Sequence, residues 1–299
     1  MPSERPATAH DDTYVWPKGK RSAACFTLDF DAHAPWLWTN RAGLPPLLSH
    51  LEQRRFGPRV GIFRILDLLD RFAIRGTFFV PGKVAEDHPE MLPLLVEKGH
   101  EVGLHGYFHE LVTELSDAGF TRALEGSIAL FERQTGRRPT SFRSPAWEMT
   151  PHMLGELKRQ GLCDSSLMGY DHPYEIGGVT EIPVQWTLDD AIYFKFLGGG
   201  GDMAPPAAPG PLLDGWLDEW RLLHRWGGLF MLTVHDWISG RAQRIAMLER
   251  LLGRIGEEKD VWWATVSEVA RHHEATAAGR WAVDAGSPRG VAGHPLGID

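Results

Sequence analysis

Eight short runs rich in β-branched and aromatic residues, set between longer stretches of helical period, constrain this chain more than any other feature. They are ACFTLDF (24–30), IRGTFFV (74–80), HEVGLH (100–105), TSFRSP (140–145), LCDSSL (162–167), TEIPVQW (180–186), GLFMLTVH (228–235) and VWWATV (261–266). Such alternation makes parallel strands joined by crossover helices. Between the runs, RVGIFRILDLLDRF (59–72) places Ile62, Ile65, Leu66, Leu69 and Phe72 on one stripe, and RAQRIAMLERLLGRI (241–255) does the same with Ile245, Leu248, Leu251 and Leu252. Those stripes belong to the core.

A chain of 299 residues, 43% hydrophobic and 23% charged, can bury one large core. The repetition therefore predicts a closed or nearly closed (β/α) barrel, with an open doubly wound sheet as the alternative; in both, active sites lie at the carboxyl ends of the strands. We expect an N-terminal arm over residues 1–22, the barrel over 23–273 and a tail over 274–299. LGGGGDMAPPAAPGP (197–211) reads as a long loop or a lid.

A net charge of −8 without a basic cluster argues against a nucleic-acid surface. The first residues hold no apolar stretch of signal-peptide length and no later run approaches membrane-spanning length, so the expectation is a soluble cytoplasmic protein that meets no membrane. Cys25 and Cys163 each sit in an apolar run, as reduced core thiols do.

Buried strands should be apolar, so ionisable residues at their last positions need a reason. Asp29 and Asp31 close one run, two apart and therefore on one side; His105, Arg143, the pair Asp189 and Asp190, and His235 close others. All converge on one rim. His105 and His109, four apart, can reach one small cation from a helix turn or a tight loop, but need a third ligand. Asp31 can supply it: two neutral imidazoles and a carboxylate, with positions left for water, make a catalytic site for Zn²⁺ or a similar divalent ion. Asp29 would then act as general base, Arg143 would hold it ionised, and His235 would serve as general acid for a leaving nitrogen, with Asp189 or Asp190 able to orient it. This is the outline of an amide-bond hydrolase.

FTLDFDA, RGTFFVPG, GHEVGLHGYFHE, FRSPAWEMT and LTVHDWISGR resemble, in order, the successive motifs of the polysaccharide deacetylase (NodB-homology) family, across residues 23 to 272. The resemblance implies a distorted (β/α) barrel of about seven strands and metal-dependent deacetylation. Carried over by position, it implies Asp31, His105 and His109 as metal ligands, Asp29 as base with Arg143 as its partner, and His235 as acid. Asp29 and Asp31 are separated by Phe30 and followed by Ala32, whereas extracellular members show adjacent aspartates followed by Gly. Together with RRFGPRVGIFRILDLLDRF and EIPVQWTLDDAIYF this looks like the intracellular branch, with its cyclic imide hydrolases and allantoinase-like enzymes. That branch implies a homotetramer and a small cyclic imide, amide or ureide as substrate, ahead of an N-acetylated oligosaccharide or peptidoglycan fragment; parts of it dispense with a metal, but the complete Asp and two-His set argues for one divalent ion, expected to be zinc. Trp36, Trp147 and Trp186, with Trp38, lie near the site in sequence and could wall in a flat ring or stack on a sugar; Asp190 is expected with them at the substrate. Asp236 stands where this branch would have Pro. A catalytically silent ligand-binding barrel would require lost site residues, and none of the six is missing.

Overall fold

The run around Cys25 forms the centre of the molecule. In the computed structural model, which describes residues 13–43, 48–198, 202 and 204–286, β1 (Ser22–Asp29) is buried along its whole length. A strand covered on both faces cannot alternate polar and apolar residues, which is why SAACFTL carries no charge before its last position, Asp29. Nine further strands follow: β2 (Thr77–Val80), β3 (Glu101–Leu104), β4 (Ser141–Phe142), β5 (Cys163–Asp164), β6 (Tyr174–Ile176), β7 (Val179–Glu181), β8 (Leu229–His235), β9 (Val261–Trp263) and β10 (Ala282–Val283).

Their order is β10-β6-β7-β5-β4-β3-β2-β1-β8, with β9 also on β1, and all pairings are parallel except the β6–β7 hairpin. The sheet ends at β10 and at β8, and among the described residues no ladder joins β7 directly to β8. Residues 182–190 span that gap: Ile182 and Val184 donate to the carbonyls of Asp164 and Leu167 at one side, and Asp190 donates to the Thr233 carbonyl at the other. An isolated parallel bridge joins Asp189 to Thr233. The architecture is thus an α/β fold whose strands curl most of the way round a core, with an irregular segment crossing the last interval.

Alternation along β1 and β8 divides the core in two. Ala24, Phe26 and Leu28, with Phe230, Leu232 and Val234, face the helices and meet the stripes of Ile62–Phe72 and Ala242–Ile255. Each fully buried Leu or Phe there contributes about 1.5–3 kcal/mol by leaving water. Ala23, Cys25, Leu229 and Met231 point inward with Phe79, Cys163 and Val184. The same inward parity, continued two residues at a time, delivers Thr27, Asp29, Thr233 and His235 to the carboxyl end of the interior. Both cysteines are free and buried, as expected.

Several boundaries differ from those the sequence predicts. The run 180–186 is strand only as far as Glu181, because the chain then leaves the ladder to cross toward β8. Gly177 and Gly178, both at positive φ, turn β6 into β7, a hairpin that the dipeptide could have announced. The stretch 197–211 ends earlier than expected, since the helix Pro209–Trp226 starts inside it with Pro in its first turn; residues 199–201 and 203 of the proposed lid lie outside the described residues. Within the predicted arm, Tyr14 and Trp16 are buried against Trp281 of the predicted tail. Tail residues 287–299 and arm residues 1–12 also lie outside the described set.

Candidate active site

Strand register explains why the polar residues meet. Asp29 is paired with His235 on one side and Phe79 on the other, while Leu104 is paired with Phe142, so His105 and Arg143 follow at the same level. Arg143, fully buried, fills the centre of the interior. Its guanidinium donates to Asp29 Oδ1 (2.8 Å), Thr27 Oγ1 (2.9 Å), Thr233 Oγ1 (3.3 Å), Ser165 O (2.9 Å) and Ser165 Oγ (3.0 Å), and lies 4.2 Å above the Phe79 ring. A buried charge needs this density of partners. Burial alone would raise the Asp29 carboxyl, but Arg143, with His105 and His235, overcomes it and holds Asp29 below its ordinary value.

Asp31, His105 and His109 form the second group. Asp31 lies beyond the end of β1, and the histidines sit on a tight loop, not a helix: Gly106 and His109 both take positive φ, and Glu110 accepts from the Tyr107 N–H. Nε2 of His105 and of His109 lie 3.5 and 3.6 Å from Asp31 Oδ1. His105 Nδ1 is 2.8 Å from the Arg143 carbonyl, which can only accept, so Nδ1 carries the proton and Nε2 turns a lone pair toward Asp31 and toward Asp29 Oδ2 at 3.8 Å. Lone pairs facing carboxylates repel unless a cation lies between them. Asp31 Oδ1 is buried without a hydrogen-bond partner, and the three ligand atoms lie within 4.8 Å of one another. Burial pushes His105 down to about 4 and His109 to about 3, so both imidazoles are neutral at pH 7, as ligation requires. This donor set fits one divalent ion.

His235 is built differently. Its Nδ1 is 2.6 Å from Asp190 Oδ1, its backbone N–H donates to Asp190 Oδ2 at 3.0 Å, and Ser239 Oγ donates to the same oxygen. Burial would lower this imidazole, but Asp190 outweighs it and raises it well above its usual value. Asp190 is itself wholly buried behind His235 and does not line the cavity, which corrects its expected place at the substrate: the chain is extended at Asp189 but turns at Asp190 into the helix Ala191–Phe194, so Asp189 faces the cavity and Asp190 does not.

The cavity above these groups measures about 330 Å³. Trp147 and Trp186 stack at 4.3 Å and 29° on its wall, whereas Trp36 does not line it, because the helix Ala34–Thr39 brings Pro35 there instead. Trp38 binds Glu114. Ala32, His109, Ala146 and Trp147, all at positive φ without being glycine, surround the site, where strained backbone commonly gathers. Three lining residues have no role assigned from the sequence, although Arg54 and Trp237 lie within RRFGPRVGIFRILDLLDRF and LTVHDWISGR: Arg54, Lys195 and Trp237.

The family model described as polysaccharide deacetylase matches residues 56–164. A Mycobacterium smegmatis chain assigned to the polysaccharide deacetylases is 34% identical, with 93% of this chain and 97% of that one covered at a TM-score of 0.83. A Helicobacter pylori peptidoglycan deacetylase is 28% identical over 282 residues, which are 84% of this chain and 96% of the relative. Puue allantoinase shares the fold at 21% identity, with 92% and 99% covered and a TM-score of 0.77. No helix among the described residues is long and apolar enough to cross a membrane. With the ordered motifs, the metal-type donor set and these likenesses in agreement, the chain belongs to the polysaccharide deacetylase family and is a hydrolase of carbon–nitrogen bonds in amides.

Proposed function

We propose that this hydrolase opens the C–N bond of a small cyclic amide, imide or ureide. The observation that carries the reading is the shape of the cavity: about 330 Å³, walled by the Trp147–Trp186 stack, Trp237 and Ile238, it suits one flat ring better than a polymer. Asp31, His105 and His109 would hold the divalent ion, which we take to be zinc, a metal that imidazole and carboxylate donors suit. When bound, that ion supplies Lewis acidity toward water and the substrate carbonyl.

The protein's own groups then divide the proton work. Asp29, kept ionised by Arg143, takes a proton from the attacking water as its oxygen bonds to the carbonyl carbon. His235, kept protonated by Asp190, gives a proton to the ring nitrogen as the C–N bond breaks, so the single ring-opened product carries a carboxyl group and a neutral amine or amide, and proton exchange with solvent restores Asp29 and His235. The protons need distinct carriers because a departing amide nitrogen is too basic to leave unprotonated.

A second reading, removal of acetyl from a soluble N-acetylated oligosaccharide or peptidoglycan fragment, is favoured by the full-length likeness to the Helicobacter protein of that name. The test is a comparison on zinc-loaded enzyme of hydantoin and succinimide opening with acetate release from chito-oligosaccharides. Ring opening faster by about tenfold or more in kcat/KM is expected; the reverse order replaces the first reading with the second.

A further inference from the structure

Arg54 is the cavity-lining cation that the proton chemistry leaves unused and that is almost wholly buried, with 7% of its surface exposed. It comes from the helix Ser49–Phe56, whose sequence SHLEQRRF looks like an ordinary solvated face. Its guanidinium lies 4.6 Å from the Trp237 ring, and its hydrogen bonding is poor for a buried arginine. Nη1 reaches Ala32 O only at 3.5 Å, and Asp31 Oδ2 at 3.8 Å is beyond a hydrogen bond. The other nearby carboxyl, Asp236, makes no ion pair with it within 4.0 Å. Gly57 is what lets this helix and Asp236 approach so closely, since a Cβ there would stand 1.6 Å from Asp236 Oδ2.

Charge balance around the cavity sharpens the point. Asp29 is matched by Arg143, and His235 by Asp190, with Asp189 3.7 Å from the same imidazole. Among the described residues, Asp31 is the carboxylate within ion-pair reach of Arg54, yet it belongs to the donor set that would hold a divalent ion. Once that ion draws on Asp31, no other carboxylate among the described residues stands within 4.0 Å of Arg54, at a depth where a poorly matched charge is costly. Lys195 lines the same cavity, and no carboxylate among the described residues pairs with it. The two cations reach the pocket from separate parts of the chain, the helix Ser49–Phe56 and the residue that follows Phe194.

We propose that the substrate carries a carboxylate, or an equivalent anionic substituent, and that Arg54 is the specificity residue that receives it, with Lys195 assisting at the rim. The ring-amide reading above is the basis of this proposal, which narrows it to acidic rings. A guanidinium is the apt group, because it offers a carboxylate two parallel N–H donors.

The test uses a matched pair, hydantoin and hydantoin-5-acetic acid, which differ by a carboxymethyl group. Calorimetric titration of zinc-loaded Asp29→Asn protein measures binding apart from turnover. The acid should bind more tightly by about tenfold or more, the worth of one charged hydrogen-bonded contact. Arg54→Met should erase most of that preference, and Arg54→Lys should restore part of it. Lys195→Met, on an exposed side chain that can be changed without disturbing the core, should reduce it less. In wild-type enzyme that turns over both rings, the preference should appear in KM more than in kcat.

Equal affinity for the two rings overturns the proposal, whatever the turnover assays show. So does an Arg54→Met protein that loses zinc or weakens both rings alike, which would give Arg54 a structural role. A retained preference for the acid with no ring opening by wild-type enzyme would leave the anionic subsite standing and remove only the ring-opening reading.

Discussion

Two histidine environments on one buried rim have opposite protonation, and the groups behind their Nδ1 atoms set much of the difference. His105 is backed by the Arg143 carbonyl, a neutral acceptor, and burial dominates: the ring is held down to about 4 and turns a lone pair toward Asp31. His235 is backed by the Asp190 carboxylate, and that charge reverses the effect of burial, so the ring keeps its proton. The same side chain thus becomes a ligand on one half of the rim and an acid on the other. The halves are joined by Asp29, which lies 3.8 Å from His105 Nε2 and is register-paired with His235.

The largest effect should come from erasing the ligand half. His105→Ala with His109→Ala should abolish bound metal, read by elemental analysis, and reduce turnover to background, while the Asp190–His235 pair stays intact. Metal retained at one ion per chain would show that the two imidazoles are not the ligands and would dissolve the contrast. Asp190→Asn attacks the other half, and its effect should be smaller, a loss of about 10- to 100-fold in kcat with metal content unchanged. Its direction with pH follows from the raised value of His235. An acid works while protonated, so activity is lost as pH rises through its pKa; removing the Asp190 charge lowers that pKa and slides the descending limb toward lower pH. A limb that does not move would assign the proton donor to another group.

Much of this contrast is legible in the amino-acid sequence, and the reason is parity. Strand ends follow from the apolar runs, and alternation along a strand specifies which residues face inward, so Asp29, His105, Arg143 and His235 can be brought to one rim. What stays hidden depends on chain paths that no local pattern encodes. Residues 182–190 leave the ladder irregularly, so nothing in the dipeptide Asp189–Asp190 says which side chain stands behind the imidazole. Trp36 is near Asp31 in sequence, but a short helix begins at Ala34 and places Pro35 at the cavity. Arg54 is hidden for the opposite reason: its burial comes from the close packing of its helix on the turn after His235, where Gly57 and Gly61 admit Asp236, and a basic, polar helix sequence gives no hint of it.

The smallest expected effect is also the one that sharpens the comparison most. Ser239 donates to the Asp190 oxygen that also receives the His235 backbone N–H. In Ser239→Ala the carboxylate loses one of the donors that spread its charge, so it becomes more basic and grips the imidazole proton harder. The descending limb should therefore move to higher pH, by less than about one unit, since a single hydrogen bond to a charged group is worth about 1.5–3 kcal/mol and only part of it is felt across the pair. Asp190→Asn and Ser239→Ala would thus displace one limb in opposite directions, with metal content unchanged in both. A fold perturbed at random by two neighbouring substitutions has no reason to give opposite signs, whereas an acid tuned by the charge behind it requires them. Shifts of the same sign would mean that burial, not Asp190, sets the proton affinity of His235, and that the two halves of the rim differ less than their geometry implies.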